Sequence, residues 1–143
     1  MRTLASSTER ETRERLTAEY AVVSQLAEEI RRQIDLLTSA IDEIATTRAA
    51  LKEVEKLSGG EEMLVSLGSS VMIRVSYKKA DKVLVRVGND VVVEKSMEDA
   101  FEYLNEQEKN LRQTLERRSA EYQNVISRLA EIEKALRGRQ SVQ

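Results

Sequence analysis

Residues 83–104, VLVRVGNDVVVEKSMEDAFEYL, decide the fold. Val83, Val85 and Val87 alternate against Lys82, Leu84 and Arg86, the period-two signature of a strand with one apolar face. Gly88-Asn89-Asp90 supplies turn chemistry, and Val91-Val92-Val93 resumes the strand signal. From Met97 the apolar spacing changes to four and three, through Phe101 and Leu104, which is helical. Ser96 is placed to cap that helix. Glu98 and Asp99 follow in its first turn, a capping box with Asp in place of the usual Glu. One short stretch thus turns from sheet into helix.

Downstream, the alternating four-three spacing continues through Glu108, Leu111, Leu115, Arg118, Tyr122, Val125, Leu129, Ile132 and Leu136. It predicts a helix over 96–137 whose 3.5-residue apolar repeat is that of a left-handed coiled coil. The chain before the strands has the same repeat. Leu16, Tyr20, Val23, Ala27, Ile30, Ile34, Leu37, Ile41, Ile44 and Leu51 fall on it, with Arg48 filling one gap. This predicts a helix over 8–58, stopped by Ser58-Gly59-Gly60 because glycine accepts the left-handed conformation past a helix end. At 1.5 Å per residue, Leu16 to Leu51 spans about 54 Å.

Between the helices, over 61–95, strand signals repeat at short intervals. Met63, Val65 and Leu67 alternate before Gly68-Ser69-Ser70. Val71, Ile73, Val75 and Tyr77 alternate before a polar turn at 78–81. With the two runs already described, these make four strands in two hairpins. No internal repeat is expected beyond the heptads. The fold class is α+β, mostly α: a long intramolecular antiparallel two-helix coiled coil with two β-hairpins inserted between the helices, read as one domain over 1–143. Facing seam positions agree with an antiparallel pair. Leu16 meets Leu136, Tyr20 meets Ile132, Val23 meets Leu129, Ala27 meets Val125 and Ile30 meets Tyr122. Arg48 and Glu108 stand where they either meet across the seam or snorkel outward on their stems. Arg118 has no obvious partner across the seam.

Composition removes several functions. The 143 residues include no Cys and no His, so thiol chemistry, disulfides and the commonest general base and metal ligand are missing. The formal charge of −2 comes from interleaved acids and bases, which gives no case for nucleic acid or an anionic membrane. Arg13, Arg15, Arg31 and Arg32 alternate with glutamates and read as a solvated face. Asp35, Asp42 and Glu43 share one helix without a convergent partner. No GxxxxGK[ST] phosphate loop is present. An enzyme, a cofactor and a metal site are therefore not expected. No apolar run reaches membrane-spanning length, and the first 15 residues lack an apolar signal segment, so a cytoplasmic location is expected. Arg137 and Arg139 are expected to form a short disordered basic tail.

The strands hold the apolar faces Val71, Ile73, Val75, Val83, Val85, Val87, Val91 and Val93, too many to leave wet on isolated hairpins. Assembly is the economical solution: strands of several subunits form a common β body from which the coiled coils project. The other solution is a cap on the chain's own helices. Apolar residues also cluster where both chain ends meet: Leu16, Tyr20, Val22, Val23 and Leu26 on one helix, and Leu129, Ile132 and Leu136 on the other. Val22 and Leu26 lie outside the strict seam and widen its stripe.

A long helix, a glycine stop, two short hairpins and a long returning helix resemble the alpha-class subunit of prefoldin. The specific likeness lies in MLVSLGSSVMIRVSYKKADKVLVRVGNDVVVEKSMEDAFEYL, residues 63–104, where Gly68, Val83, Gly88, Val91, Val93, Glu94 and Lys95 match the family pattern. Four strand signals favour the alpha class, because beta-class subunits carry one hairpin. The resemblance implies a heterohexamer of two alpha-class and four beta-class subunits. Such a complex binds non-native polypeptides between arm tips and hands them to a group II chaperonin without ATP. The apolar cluster at the chain ends then becomes the client-binding tip. A structural coiled-coil tether without client binding is the alternative. A nucleotide-exchange cofactor of another chaperone also joins long helices to a small β part, but such proteins usually dimerise through parallel helices.

Overall fold

The computed structural model describes residues 2–140, and the side chains of 6–138. Its elements are helix α1 (Arg2–Glu55), strands β1 (Glu62–Ser66), β2 (Met72–Ser76), β3 (Lys82–Arg86) and β4 (Val92–Ser96), and helix α2 (Met97–Gln140). The expected order of helix, two hairpins and returning helix is the observed one. The helix limits shift modestly. α1 begins before residue 8 and ends at Glu55, where Lys56 and Leu57 donate to the carbonyls of Glu53 and Val54 at 3.2 and 3.0 Å. These are tighter three-residue bonds that close a helix end. Gly59 and Gly60 follow with φ of 110° and 87°, conformations that favour glycine.

Two compact units result. One joins α1 through Ala40 to α2 from Leu111, and the other runs from Ile41 to Asn110. In the helical unit α1 and α2 run antiparallel. Leu26, Ile30 and Gln33 line one groove with Val125, Glu121 and Arg118, which brackets the expected meeting of Ile30 and Tyr122. Ala27, Ile30 and Ile132 are buried there, and Glu19 of α1 accepts from Arg128 Nε of α2 at 2.8 Å. Arg118 finds its partner on its own helix, Glu121 one turn on, at 2.8 Å. Its long stem keeps the seam position while the guanidinium leaves it.

In the hairpin unit the core residues are Ile41 of α1 and Ala100 of α2. Ala100 precedes the seam residue Phe101, which is only half-buried. Arg48 and Glu108 meet across the helices at 3.2 Å, with about a fifth of each side chain exposed (21% and 22%). The β sheet consists of two separate antiparallel pairs, β1–β2 and β3–β4.

The hairpins are copies of each other, contrary to the expectation of no repeat beyond the heptads. Glu62↔Ser76, Leu64↔Arg74 and Ser66↔Met72 in the first become Lys82↔Ser96, Leu84↔Glu94 and Arg86↔Val92 in the second. The closing bonds correspond too: Leu67 N–H donates to Val71, and Val87 N–H to Val91, both at 2.9 Å. Register in a half-apolar strand is set by its face, so the same pattern of faces gives the same pairing. The repeat is hard to see in letters because the charges change sign between copies. Glu62 and Arg74 correspond to Lys82 and Glu94.

β4 passes into α2 without a linker. Ser96 Oγ accepts from Asp99 N–H at 3.1 Å, the expected N-cap. Ser96→Ala is expected to cost about 1 kcal/mol, read as a lower thermal midpoint of the chain. At the other end α2 continues past 137, and Arg137 lies 4.0 Å from Glu133 within it. Arg137 is therefore helical, where a disordered tail was expected. The Arg139 side chain and residues 141–143 lie outside what is described.

Candidate interaction surfaces

The two hairpins leave much of their apolar surface uncovered. Of the strand residues singled out in the sequence, Val71, Ile73, Val87 and Val91 are exposed. Val75, Val83, Val85 and Val93 are half-buried. The opposite faces are also apolar, which alternation alone missed. Leu64, Met72, Leu84 and Val92 are exposed there, Leu84 at 71%. A signal for them exists in the sequence. Each strand region has three apolar residues in a row: Met63-Leu64-Val65, Val71-Met72-Ile73, Val83-Leu84-Val85 and Val91-Val92-Val93. Unbroken apolar runs mark strands designed for cover on both faces.

Hairpin 2 is seated on α2 by Tyr103. Its hydroxyl lies 3.5 Å from the Arg86 carbonyl, a long hydrogen bond, and Lys95 Nζ stands 5.7 Å from its ring centroid. That cation–ring contact is a modest attraction. Tyr103 is off the heptad seam, and an aromatic residue in that position is the trace it leaves in the sequence.

The helical unit divides the other candidates into two groups. Ile132 is 1% exposed and lies inside the helix pair. Leu16, Val23, Leu129 and Leu136 are half-buried on the seam. Tyr20, Val22 and Leu26 are exposed, Val22 at 67% and Leu26 at 48%. Two further residues extend this outer surface, Leu36 at 71% and Ile126. Their signature is an apolar doublet: Val22-Val23, Leu36-Leu37 and Val125-Ile126 each put one residue in the seam and one beside it. Val22, Leu26 and Leu36 fall on one side of α1 by helical spacing. Leu26, Ile30 and Val125 also form the apolar floor of an open groove of about 350 Å³, rimmed by Glu29, Gln33, Arg118, Glu121 and Asn124.

Part of the charge on these helices is matched within a helix. Arg31 and Arg32 pair with Glu28 and Glu29 one turn away, as a solvated face requires. Among the described residues no group of His, Cys, Asp and Glu is arranged to hold a metal ion. No helix among them is long and apolar enough to cross a membrane. The surfaces on offer are apolar and suited to protein.

The family model described as Prefoldin subunit matches residues 23–141. The prefoldin subunit alpha of Thermofilum pendens is 40% identical over 127 residues, covering 89% of this chain and 98% of that one. The prefoldin subunit alpha of Methanococcoides burtonii is 28% identical over 134 residues, covering 94% and 97%. The cryo-EM structure of filamentous PFD from Methanocaldococcus jannaschii superposes with a TM-score of 0.67 at 28% identity, covering 82% of this chain and 94% of that one.

Proposed function

The chain belongs to the prefoldin family, whose subunits are chaperones that assemble with one another, and we propose that it is an alpha-type subunit of an ATP-independent holdase. In this reading its partners are beta-class subunits, two alpha to four beta, joined through the apolar hairpin faces. The complex holds non-native polypeptides on the helical arms and passes them to a group II chaperonin in the cytoplasm. The observation that supports client binding is the off-seam stripe of Val22, Leu26 and Leu36. Apolar side chains that stay wet in a folded pair are available to an unfolded chain without opening the seam.

The test is aggregation of a chemically denatured client in the presence of the co-expressed alpha–beta complex. Val22→Ser with Leu26→Ser is expected to weaken protection roughly tenfold, since two exposed apolar contacts are lost. Both positions are exposed, so the arm itself remains folded. Unchanged protection would overturn the assignment of this stripe.

A second reading has one observation in its favour: the superposing structure is of a filamentous PFD. It makes the chain a structural oligomer without a client surface. That reading expects filaments by electron microscopy of the purified chain and no protection in the same client assay.

A further inference from the structure

The hairpins are joined to their helices in different ways. Hairpin 2 needs no linker, since β4 ends at Ser96 and α2 begins at Met97. Hairpin 1 follows α1 only after residues 56–61, which include the two left-handed glycines Gly59 and Gly60. Such a joint swivels unless something holds it.

Three side-chain bonds hold it. The N–H groups of Ser58 and Gly59 donate to the two carboxylate oxygens of Glu61, at 2.8 and 2.6 Å. From the far side of hairpin 1, Lys79 Nζ donates to the Leu57 carbonyl at 3.1 Å. A Cβ on Gly59 would lie 3.4 Å from that of Lys79, so this strap runs directly against the joint. The ladder of hairpin 1 also extends into the linker: Gly60 N–H donates to the Tyr77 carbonyl at 2.7 Å, and Tyr77 N–H to that of Glu61 at 2.8 Å. Bonds to charged groups are about twice as strong as neutral ones.

We propose that Glu61 and Lys79 form a latch that fixes the direction of hairpin 1 on the end of α1, and so pre-orients it for joining a neighbouring subunit. The second half rests on the assembly reading above; the latch itself does not. Without it, hairpin 1 explores many directions, and the entropy lost on docking rises.

The latch is acid-labile in a stated direction. Ser58 N–H foremost, then the residue's own N–H and that of Gly59, hold the Glu61 carboxyl below its ordinary range, with the Lys79 ammonium adding to them. Of the neighbouring charges, Lys56 pairs with Glu53 and Glu62 with Arg74. A carboxyl with a lowered folded pKa contributes stability above its unfolded pKa and loses it as pH falls through the folded one. The latch is therefore closed at and above the usual carboxylate range, and opens below it.

The sequence has no cysteine, so a labelled pair can be introduced cleanly. Spin labels at Ala49→Cys on α1 and Ser69→Cys in the hairpin 1 turn report the joint in the full chain. Near neutral pH the distance distribution is expected to be narrow. Glu61→Gln and Lys79→Ala are each expected to broaden it roughly twofold, as a released local element does. Acid is expected to broaden the wild type and to leave Glu61→Gln unchanged. Equal widths in all three proteins overturn the latch. Glu61→Gln is also expected to weaken association with a beta-class partner roughly tenfold. Broadening with undiminished association overturns the pre-orienting role. If the hairpin faces are not the interface, the substitutions described next show it, and the label distances still decide the latch.

Discussion

With Ile73 and Val91 both changed to Lys, the free chain keeps its helix content and thermal midpoint, and no complex with other subunits forms. The two residues lie in different hairpins, and both are exposed in the isolated chain, at 43% and 55%. Exposed substitutions usually change stability by less than about 0.5 kcal/mol, and Lys keeps its ammonium in water there. In a joined β body the same positions are covered. Each substitution then removes apolar burial of about 1.5–3 kcal/mol and strands an ammonium that costs several kcal/mol more to bury. Two sites together amount to at least about 6 kcal/mol, roughly four orders of magnitude in affinity. Sedimentation or native mass measurement of the chain co-expressed with a beta-class partner reads the result directly. An intact complex would remove the hairpin faces from the interface. A free chain that unfolds would show instead that Ile73 and Val91 belong to a private cap.

The helices were legible because a 3.5-residue repeat is redundant: no single residue has to be read correctly. Ala27, Ile30, Ile41 and Ile132 lie on that repeat and are the buried ones. Ala100 escaped it because a buried alanine reflects close approach of backbones, which apolar spacing does not encode. The hairpins were legible as strands, but only one of their faces was. Alternation assigns Leu64, Met72 and Leu84 to the polar side, and their exposure in the lone chain agrees with that side only by location. Under the assembly proposed above, their apolar character answers to cover that neighbouring subunits supply. Among candidate client residues, the seam members were named for hydrophobicity, a property shared by packing and binding. Only geometry separates Ile132, enclosed by the pair, from Val22 and Leu26, which are wet. Glu61 left no trace, because either of the two acids after the glycine pair looks ordinary until the Glu61 carboxylate is seen receiving the N–H groups of Ser58 and Gly59.

The polar layer at Arg48 and Glu108 makes a second large prediction, because its parts and its whole act in opposite directions. Glu108→Ala is expected to destabilise the chain by about 2–3 kcal/mol, lowering its thermal midpoint by roughly 6–10 °C. Most of that is the cost of leaving the Arg48 guanidinium without its 3.2 Å carboxylate partner in a site where a fifth of the side chain meets water. Arg48 Nε is already buried without a hydrogen-bond partner, so the site is under-satisfied even with the pair intact. Changing both residues to Leu removes the unpaired charge and fills the layer. The double variant is expected to melt at or above the wild-type temperature, since well-packed apolar replacements of buried ion pairs are often neutral or better. Its loss should appear in register. Among the described residues Arg48 and Glu108 are the seam positions at which charges of opposite sign meet, and a heptad slip of α2 against α1 leaves both stranded. With leucines there, the slipped pairing keeps an apolar seam. Cysteine pairs placed for the native and slipped registers should then both cross-link in the double variant, and only the native one in wild type. A double variant as unstable as Glu108→Ala would show instead that the ion pair itself, and not relief of its burial, holds this part of the arm together.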